Sequence, residues 1–429
     1  MIRVPGDKSI SHRALLLGAV ADGVSRLQGV LPGEDCRSTA VILRQLGVEV
    51  PPLPPAGGAF ELPGVGLRGL APSAGTLDCG NSGTTARLLL GLLAGLSTEA
   101  VLTGDASLRR RPMARVTGPL ALAGARFQEE GEPGRLPVRV AKGELGPIRH
   151  RTTVASAQVK SALLLAGVAG GVAVEVVEPA LSRDHSERML RRMGADVLEE
   201  GTSPHTVRLP APPERLAPME LRVPGDVSSA AFFLVLGVLG GAGPEGLALE
   251  NVGLNPTRTG FLEVLHRMGA RVHKTNVREE TDPAGEPAGD LSVGPTALRG
   301  VEIGGPSIAT LIDEIPILAV AAARARGTTV VRDAAELRVK ESDRIRVLVR
   351  NLTEVGVEAK ELPDGLVIHG TDAPLDGTVE THGDHRVAMA FGVLGALPGC
   401  RVQIDDPDVA AVSFPGFWPL LQQVTEGRQ

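Results

Sequence analysis

Residues 4–18 read VPGDKSISHRALLLG, and residues 223–237 read VPGDVSSAAFFLVLG. Eight of the fifteen positions are identical, and the stretches lie half a chain apart. This internal duplication divides 429 residues into two halves, each of a size that suits one hydrophobic core. Both copies open on Pro-Gly-Asp, a turn and helix-capping signal, and run into an apolar helix. The differences are as informative as the identities. Lys8 is replaced by Val227 and Arg13 by Phe232, so the fold needs neither cation at that place. Their presence in the first copy points to ligand chemistry.

A shorter repeat lies inside the longer one. A helix end, a Gly and a β-like pair recur in LRQLGVEV (43–50), LALAGARF (120–127), LRRMGADV (190–197), LHRMGARV (265–272) and LTEVGVEA (352–359). Gly just past a helix suits a left-handed C-cap. More apolar helix signals precede these: SHRALLLGA (11–19), TTARLLLGLLAG (84–95), QVKSALLLAGV (158–168), SSAAFFLVLGVL (228–239), DEIPILAVAAA (313–323) and HRVAMAFGVLGA (385–396). Helices apolar on every side belong inside a domain. The expected fold is therefore two-domain α/β, inside out, with three βαβαββ units per domain, buried helices and sheets around them. The first domain would span 6–224, and the second 225–429 plus 1–5, with the N-terminal IRV strand completing the last unit. PPLPPAGG (51–58) and TDPAGEPAG (281–289) read as loop or hairpin tips.

Composition removes several functions. Apolar residues make up 43% and charged residues 22%, a globular balance. No apolar run free of Gly and charge reaches the roughly 18 residues of a membrane span, and the N-terminus lacks an apolar signal region, so a cytoplasmic protein is expected. Cys36, Cys79 and Cys400 are too scattered for a disulfide framework or a metal pair. Net charge is −6, Tyr is absent, and Phe and Trp number 8 and 1, which argues against nucleic acid as a partner. Basic residues are overwhelmingly Arg; the few Lys include Lys8, Lys160 and Lys340. A compact ammonium where Arg is the rule suggests a chemical requirement.

Charged residues gather at helix starts. PGDKSISHR places Lys8, Ser9 and Arg13 around one first turn, and GDHRVAMAFG (383–392) places His385 and Arg386 at another. Cations oppose the helix dipole there unless an anion joins them. CGNSGTTAR (79–87) is a Gly-rich helix entry without the Walker lysine. ASLRRRPM (106–113) reads as a basic loop or a cation supply halted by Pro112. Ser156, Gln158 and Lys160 stand at another helix entrance. SRDHSERML (182–190) brings Ser, Asp and His together, a tempting triad whose members need not face one another. ELRVKESDRIRVL (336–348) packs Lys340, Glu341, Asp343 and Arg344, and would pass for an ion-pair face on an ordinary helix. No metal-ligand spacing occurs.

Ten stretches in order resemble the 5-enolpyruvylshikimate-3-phosphate synthase family, in its bacterial branch: PGDKSISHRALLLGA, DCGNSGTTARLLLG, GDASLRRRPM, SAQVKSALLLAG, SRDHSERML, PGDVSSAAFFL, IDEIPILAVAAA, ELRVKESDRI, GDHRVAMAFG and SFPGFW. The resemblance implies two domains that close like a hinge on ligands in the cleft between them. It implies transfer of the enolpyruvyl group of phosphoenolpyruvate to the 5-hydroxyl of shikimate 3-phosphate, with release of phosphate, by a monomer without cofactor or metal. Glyphosate would inhibit at the phosphoenolpyruvate side. Lys8, Ser9, Arg13, Ser156, Ala157, Gln158, Ser182, Arg183, Asp313 and Lys340 would hold shikimate 3-phosphate. Lys8, Asn81, Gly83, Arg111, Gln158, Arg344 and Arg386 would line the phosphoenolpyruvate side. Asp313 would act as base toward the 5-hydroxyl and Glu341 as acid toward the methylene carbon, with Lys8 and His385 assisting. Val412 stands where many relatives carry Lys, and Glu336 where relatives often carry Asn. The related UDP-N-acetylglucosamine enolpyruvyl transferases begin with an SGAKNA-like segment and carry a loop Cys that this chain lacks. A non-catalytic phospho-ligand sensor would not need both Asp313 and Glu341, and an RNA 3′-phosphate cyclase fits neither motifs nor charge.

Overall fold

The structure, a computed structural model, describes residues 1–55, 57–71, 75–278 and 286–426. The chain divides into two compact units. One comprises Gly6–Val223 with Thr281–Glu286, the other Met1–Pro5, Pro224–Glu280 and Pro287–Gln429.

The unit built on Gly6–Val223 carries three small sheets. Val24–Gln28 lies parallel to Glu220–Arg222 and antiparallel to Ala59–Pro63. Ala100–Thr103 lies parallel to Thr76–Asp78 and antiparallel to Val138–Ala141, which also pairs with Arg126–Glu129. Val174–Glu178 repeats the scheme with Ile148–Arg151, His205–Leu209 and Leu198–Glu200. The parallel pairs of the second and third sheets are bridged by the helices Gly83–Gly95 and Ala157–Gly170, and Lys8–Ala19 leads into the first sheet.

The other unit follows the same plan in two of its three sheets; the third, among the described residues, is a parallel pair without the two antiparallel strands expected of a βαβαββ unit. Ala288–Val293 lies between Leu247–Gly253 and His273–Arg278. Thr328–Val331 lies parallel to Glu302–Ile303 and antiparallel to Gly365–His369, which pairs with Glu358–Leu362. Leu375–Val379 and Cys400–Ile404 form a parallel pair. The helices Val227–Val238, Ile315–Ala323 and His385–Gly395 fill its interior, and every residue of the first two is buried. All-round apolarity is satisfied here by sheet on the outside and helix within.

Two core helices of the Gly6–Val223 unit approach backbone to backbone. A Cβ built at Gly91 would stand 2.1 Å from the carbonyl oxygen of Ala162, and one at Gly95 would stand 2.4 Å from that of Ala166. Only Gly permits that approach, so these residues fix the spacing of Gly83–Gly95 against Ala157–Gly170. The five repeat glycines serve a different need. Gly47, Gly124, Gly194, Gly269 and Gly356 have φ of 89°, 107°, 95°, 108° and 97°, the left-handed conformation that ends a helix.

Three further details differ from the sequence reading. The N-terminal strand does not complete the last unit: Ile2 bridges in parallel to Leu249, with Ile2 N donating to Ala248 O at 2.8 Å. It is the counterpart of Glu220–Arg222 in the other unit. Val48–Val50 forms no strand after its glycine, and Val50 N turns back to Val48 O at 2.9 Å. ELRVKESDRIRVL is not one helix: a 3-10 turn, Ala335–Val339, is followed by the helix Arg344–Glu354, leaving Lys340 and Glu341 between them. Of the expected hairpin tips, most of 281–289 lies outside the described residues.

Candidate active site

In the unit Gly6–Val223, candidate residues gather at the starts of three core helices. Lys8–Ala19 is capped by Asp7, whose Oδ1 accepts from Ile10 N at 2.9 Å. Gly83–Gly95 is capped by Ser82 and Ala157–Gly170 by Ser156. None of the three has an acidic residue in its first turn. Asp7 already sets a carboxylate at the first of these dipole ends, whereas the serine caps of the other two are neutral and leave their dipoles favouring an added anion.

Around them lie two hydrogen-bonded groups. In the first, Arg183 Nη1 donates to Ser9 Oγ at 3.2 Å, and Arg13 Nη1 donates to Ser9 O at 3.0 Å. Arg13 is buried and also donates to Ser186 Oγ and Ser161 Oγ, each at 2.7 Å. Burial lowers its pKa to about 10, so it stays charged at neutral pH. Ser182 Oγ donates to Glu178, and Ser156 N donates to Glu178 Oε1 at 2.8 Å. In the second group, Asn81 Nδ2 donates to Asp105 Oδ2 at 2.6 Å, while Asn81 Oδ1 accepts from Arg111 Nη2. Gln158 Oε1 accepts from Arg87 Nη1 at 2.6 Å, and Gln158 Nε2 donates to Thr84 Oγ1 at 2.9 Å. A Cβ built at Gly83 would meet Arg87 Nη1 at 2.8 Å and Arg111 Nη1 at 3.4 Å, so Asn81, Gly83, Arg111 and Gln158 share one small region with Arg87. Lys8 Nζ pairs with Asp35 Oδ2 at 2.9 Å.

The other unit holds the acid–base candidates. Arg344 is 1% exposed and reaches three carboxylates. Its Nε donates to Asp384 Oδ2 at 2.7 Å, its Nη2 to Glu341 Oε2, and its Nη1 to Asp313 Oδ1 at 3.5 Å. Lys340 Nζ donates to Asp313 Oδ1 at 3.2 Å, and Arg386 Nη1 donates to Asp313 O at 2.9 Å. The three carboxylates, Asp384 above all, hold the Arg344 guanidinium firmly protonated against the cost of burial. Asp384 caps the helix His385–Gly395 and accepts from Arg386 N at 3.0 Å, which sets His385 and Arg386 at the helix entry. Asp313 sits in the 3-10 turn Ile312–Glu314, ahead of the helix it was expected to open.

The Ser-His-Asp neighbours of SRDH do not form a triad. Ser182 bonds Glu178, Asp184 pairs with Arg188 at 2.8 Å, and His185 Nδ1 lies 2.6 Å from Glu286 Oε1. Asp35, Arg87, Asp384, Glu178 and Glu187 are partners that motif reading did not single out. Glu178 had a signal: in Val174–Glu178 the buried positions alternate, placing Glu178 on the face of Val174 and Val176. Among the described residues no group of three or more His, Cys, Asp or Glu is placed to hold a metal ion, and no helix is long and apolar enough to cross a membrane.

A model of the family described as EPSP synthase (3-phosphoshikimate 1-carboxyvinyltransferase) matches residues 1–421. The chain belongs to the EPSP synthase family. It is 51% identical over 428 residues to the 3-phosphoshikimate 1-carboxyvinyltransferase of Synechococcus sp. strain RCC307, covering 99% of this chain and 96% of that one. With the protein of the same description from Gloeobacter violaceus it shares 51% identity over 426 residues, with coverage of 99% and 96%. Among solved structures, EPSP synthase from Acinetobacter baumannii superposes with a TM-score of 0.83 at 40% identity, over 99% of this chain and 95% of that chain. The enolpyruvyl transferase NikO from Streptomyces tendae matches at a TM-score of 0.76 and 19% identity, a likeness of fold. The chain is thus a transferase of the EPSP synthase family with the two-domain α/β fold of enolpyruvyl transferases.

Proposed function

We propose that the side chains described above carry out the family's shikimate-pathway reaction, transfer of the enolpyruvyl group of phosphoenolpyruvate to the 5-hydroxyl of shikimate 3-phosphate. The 5-oxygen bonds to the central carbon of phosphoenolpyruvate as the methylene carbon takes up a proton. Phosphate then leaves with the electron pair of its C–O bond, and the new methyl group gives up a proton to restore the double bond.

The observation that carries the assignment is Arg344. One buried guanidinium touches both Asp313 and Glu341, so two carboxylates are held in fixed relation to each other. The reaction needs one group to take the hydroxyl proton and another to give a proton to carbon. Asp313 is assigned the first role and Glu341 the second, with Lys8 and His385 assisting proton movement. Lys8, Ser9, Arg13, Ser156, Ala157, Gln158, Ser182, Arg183, Asp313 and Lys340 are assigned to shikimate 3-phosphate. Lys8, Asn81, Gly83, Arg111, Gln158, Arg344 and Arg386 are assigned to phosphoenolpyruvate, whose place glyphosate would take. Both substrates are multiply anionic, and charge-assisted hydrogen bonds of about 1.5–3 kcal/mol each offset their mutual repulsion. The experiment is phosphate release from both substrates by wild type, Asp313→Asn and Glu341→Gln, with shikimate 3-phosphate binding followed by calorimetry. Both variants should bind and fail to turn over; retained kcat with weakened binding would reject the acid–base roles.

A further inference from the structure

Beneath Ser156 and Ser182 lies a group of charges that the reaction scheme leaves without a task. Lys160 Nζ stands 2.9 Å from Glu178 Oε2 and 2.8 Å from Glu187 Oε1, and all three side chains are 0% exposed. Lys160 comes from the second turn of Ala157–Gly170, Glu178 from the end of the strand Val174–Glu178, and Glu187 from the helix His185–Arg192. A buried ion pair is costly to assemble and weak evidence of stability. A fold seeking stability alone would be served as well by apolar side chains of similar volume.

The arrangement becomes intelligible from what Glu178 touches on its other side. Its Oε1 accepts from Ser156 N at 2.8 Å and from Ser182 Oγ at 3.0 Å, and its Oε2 from Ser182 Oγ at 2.8 Å. Lys160 Nζ also approaches Ser182 O at 3.5 Å. One carboxylate therefore grips both the capping residue of a core helix and a serine on a separate loop, and Lys160 anchors that carboxylate from below. We propose that Lys160, Glu178 and Glu187 form a buried positioning triad that fixes Ser156 and Ser182 as a pair for shikimate 3-phosphate. The proposal rests on the assignment of those two serines to that substrate.

Charge balance supports it. A carboxylate under an anion site would repel the ligand unless compensated. Lys160 compensates one carboxylate. Burial drives the Glu187 carboxyl upward, against the opposing pull of the Lys160 ammonium. Glu178, the carboxylate that touches both serines, is thus paired with an ammonium while still holding them in place. The Lys that survives in an Arg-rich chain sits here as a compact ammonium shared between two carboxylates 2.8 and 2.9 Å away.

The test uses the full-length enzyme and a double-mutant cycle. Glu178→Asp keeps the charge beside Lys160 but shortens the reach by one methylene, so it should not hold both serines at once. Its KM for shikimate 3-phosphate should rise at least about tenfold, with the KM for phosphoenolpyruvate changed less than about twofold. Glu178→Gln, which keeps the reach and removes the charge, should give the same split. In a Ser182→Ala background, Glu178→Asp should add less than about half of its own effect, because both act through one contact. If Glu178→Asp fails to fold, Glu178→Gln and the corresponding cycle decide. Additive effects, a parallel rise of both KM values, or unchanged kinetics in a folded variant would overturn the triad while leaving the reaction assignment intact. Absence of wild-type turnover on the two substrates would overturn both.

Discussion

Replacing Arg344 should separate stability from chemistry. In Arg344→Met the volume stays but the charge goes, leaving Asp384, which is 0% exposed, without its buried cation. Breaking a buried ion pair from one side costs about 3–5 kcal/mol. For a domain of roughly 200 residues, each kcal/mol moves the melting point by about 2–4 °C, so a fall near 10 °C is expected. Arg344→Lys should recover much of that fall, since an ammonium can still pair with one carboxylate. It should not recover turnover. Only a planar fork reaches Asp384 through Nε, Glu341 through Nη2 and Asp313 through Nη1 together. Loss of fixed geometry at both proton-transfer groups is worth about 10²-fold in kcat. The assays are thermal melting, calorimetric binding of shikimate 3-phosphate, and steady-state phosphate release. Full kcat in Arg344→Lys would refute the reasoning, as would an unshifted melting point in Arg344→Met.

Gly83 does not have positive φ, and an added methyl group would press on the ends of Arg87 and Arg111 rather than on backbone. Gly83→Ala should therefore fold and raise the glyphosate inhibition constant more than the phosphoenolpyruvate KM; a parallel rise would return the effect to general damage. His205 lies 3.2 Å from Glu199, and that carboxylate raises the imidazole pKa above its ordinary 6.5. A raised folded-state value stabilises fully below about 6.5 and is lost as pH climbs through the folded-state pKa. The melting point of wild type should fall more steeply above pH 6.5 than that of His205→Gln, and equal slopes would deny the pair any part in stability. Lys8→Ala should leave secondary structure unchanged, since the sister position is Val227, and lower kcat/KM at least about tenfold. Normal turnover would place Lys8 outside the chemistry.

What the sequence made legible was whatever repeats or has a period. The core helices show because they are apolar all round, and the repeat glycines because a left-handed residue must follow each helix. The strand at Ile2 shows too, but three residues carry no pattern that selects a partner, and only the backbone bonds to Leu249 and its neighbours settle it. ELRVKESDRI looked helical because charges at i,i+3 and i,i+4 spacing are common on helices; pairing with Asp313 and Asp384, far off in sequence, favours another path. Glu187 was missed for a related reason, while the alternation along Val174–Glu178 marked Glu178 as inward without naming its partner. A glutamate in a half-polar segment is ordinarily solvated, and nothing local reveals that Lys160 waits opposite. Long-range charge pairing leaves little local trace, whereas helix capping and burial leave much.

The bridge from Ile2 to Leu249 bears on the order in which the protein can be made. The Gly6–Val223 unit ends on its own closing strand, Glu220–Arg222, so all three of its sheets can assemble once that strand has left the ribosome. The other unit has no such independence. Its first sheet borrows an edge from Ile2, which is made long before Leu247–Gly253 and must wait for that strand to appear. A fragment beginning at Pro224 would expose the flank of Leu249, offering an open strand to any neighbouring chain, whereas a fragment ending at Val223 would keep its corresponding edge covered. Severing the chain at the duplication thus yields two unlike halves: one keeps every strand of its sheets and, among the described residues, loses only Glu286, the partner of His185, while the other loses the edge that Ile2 supplies.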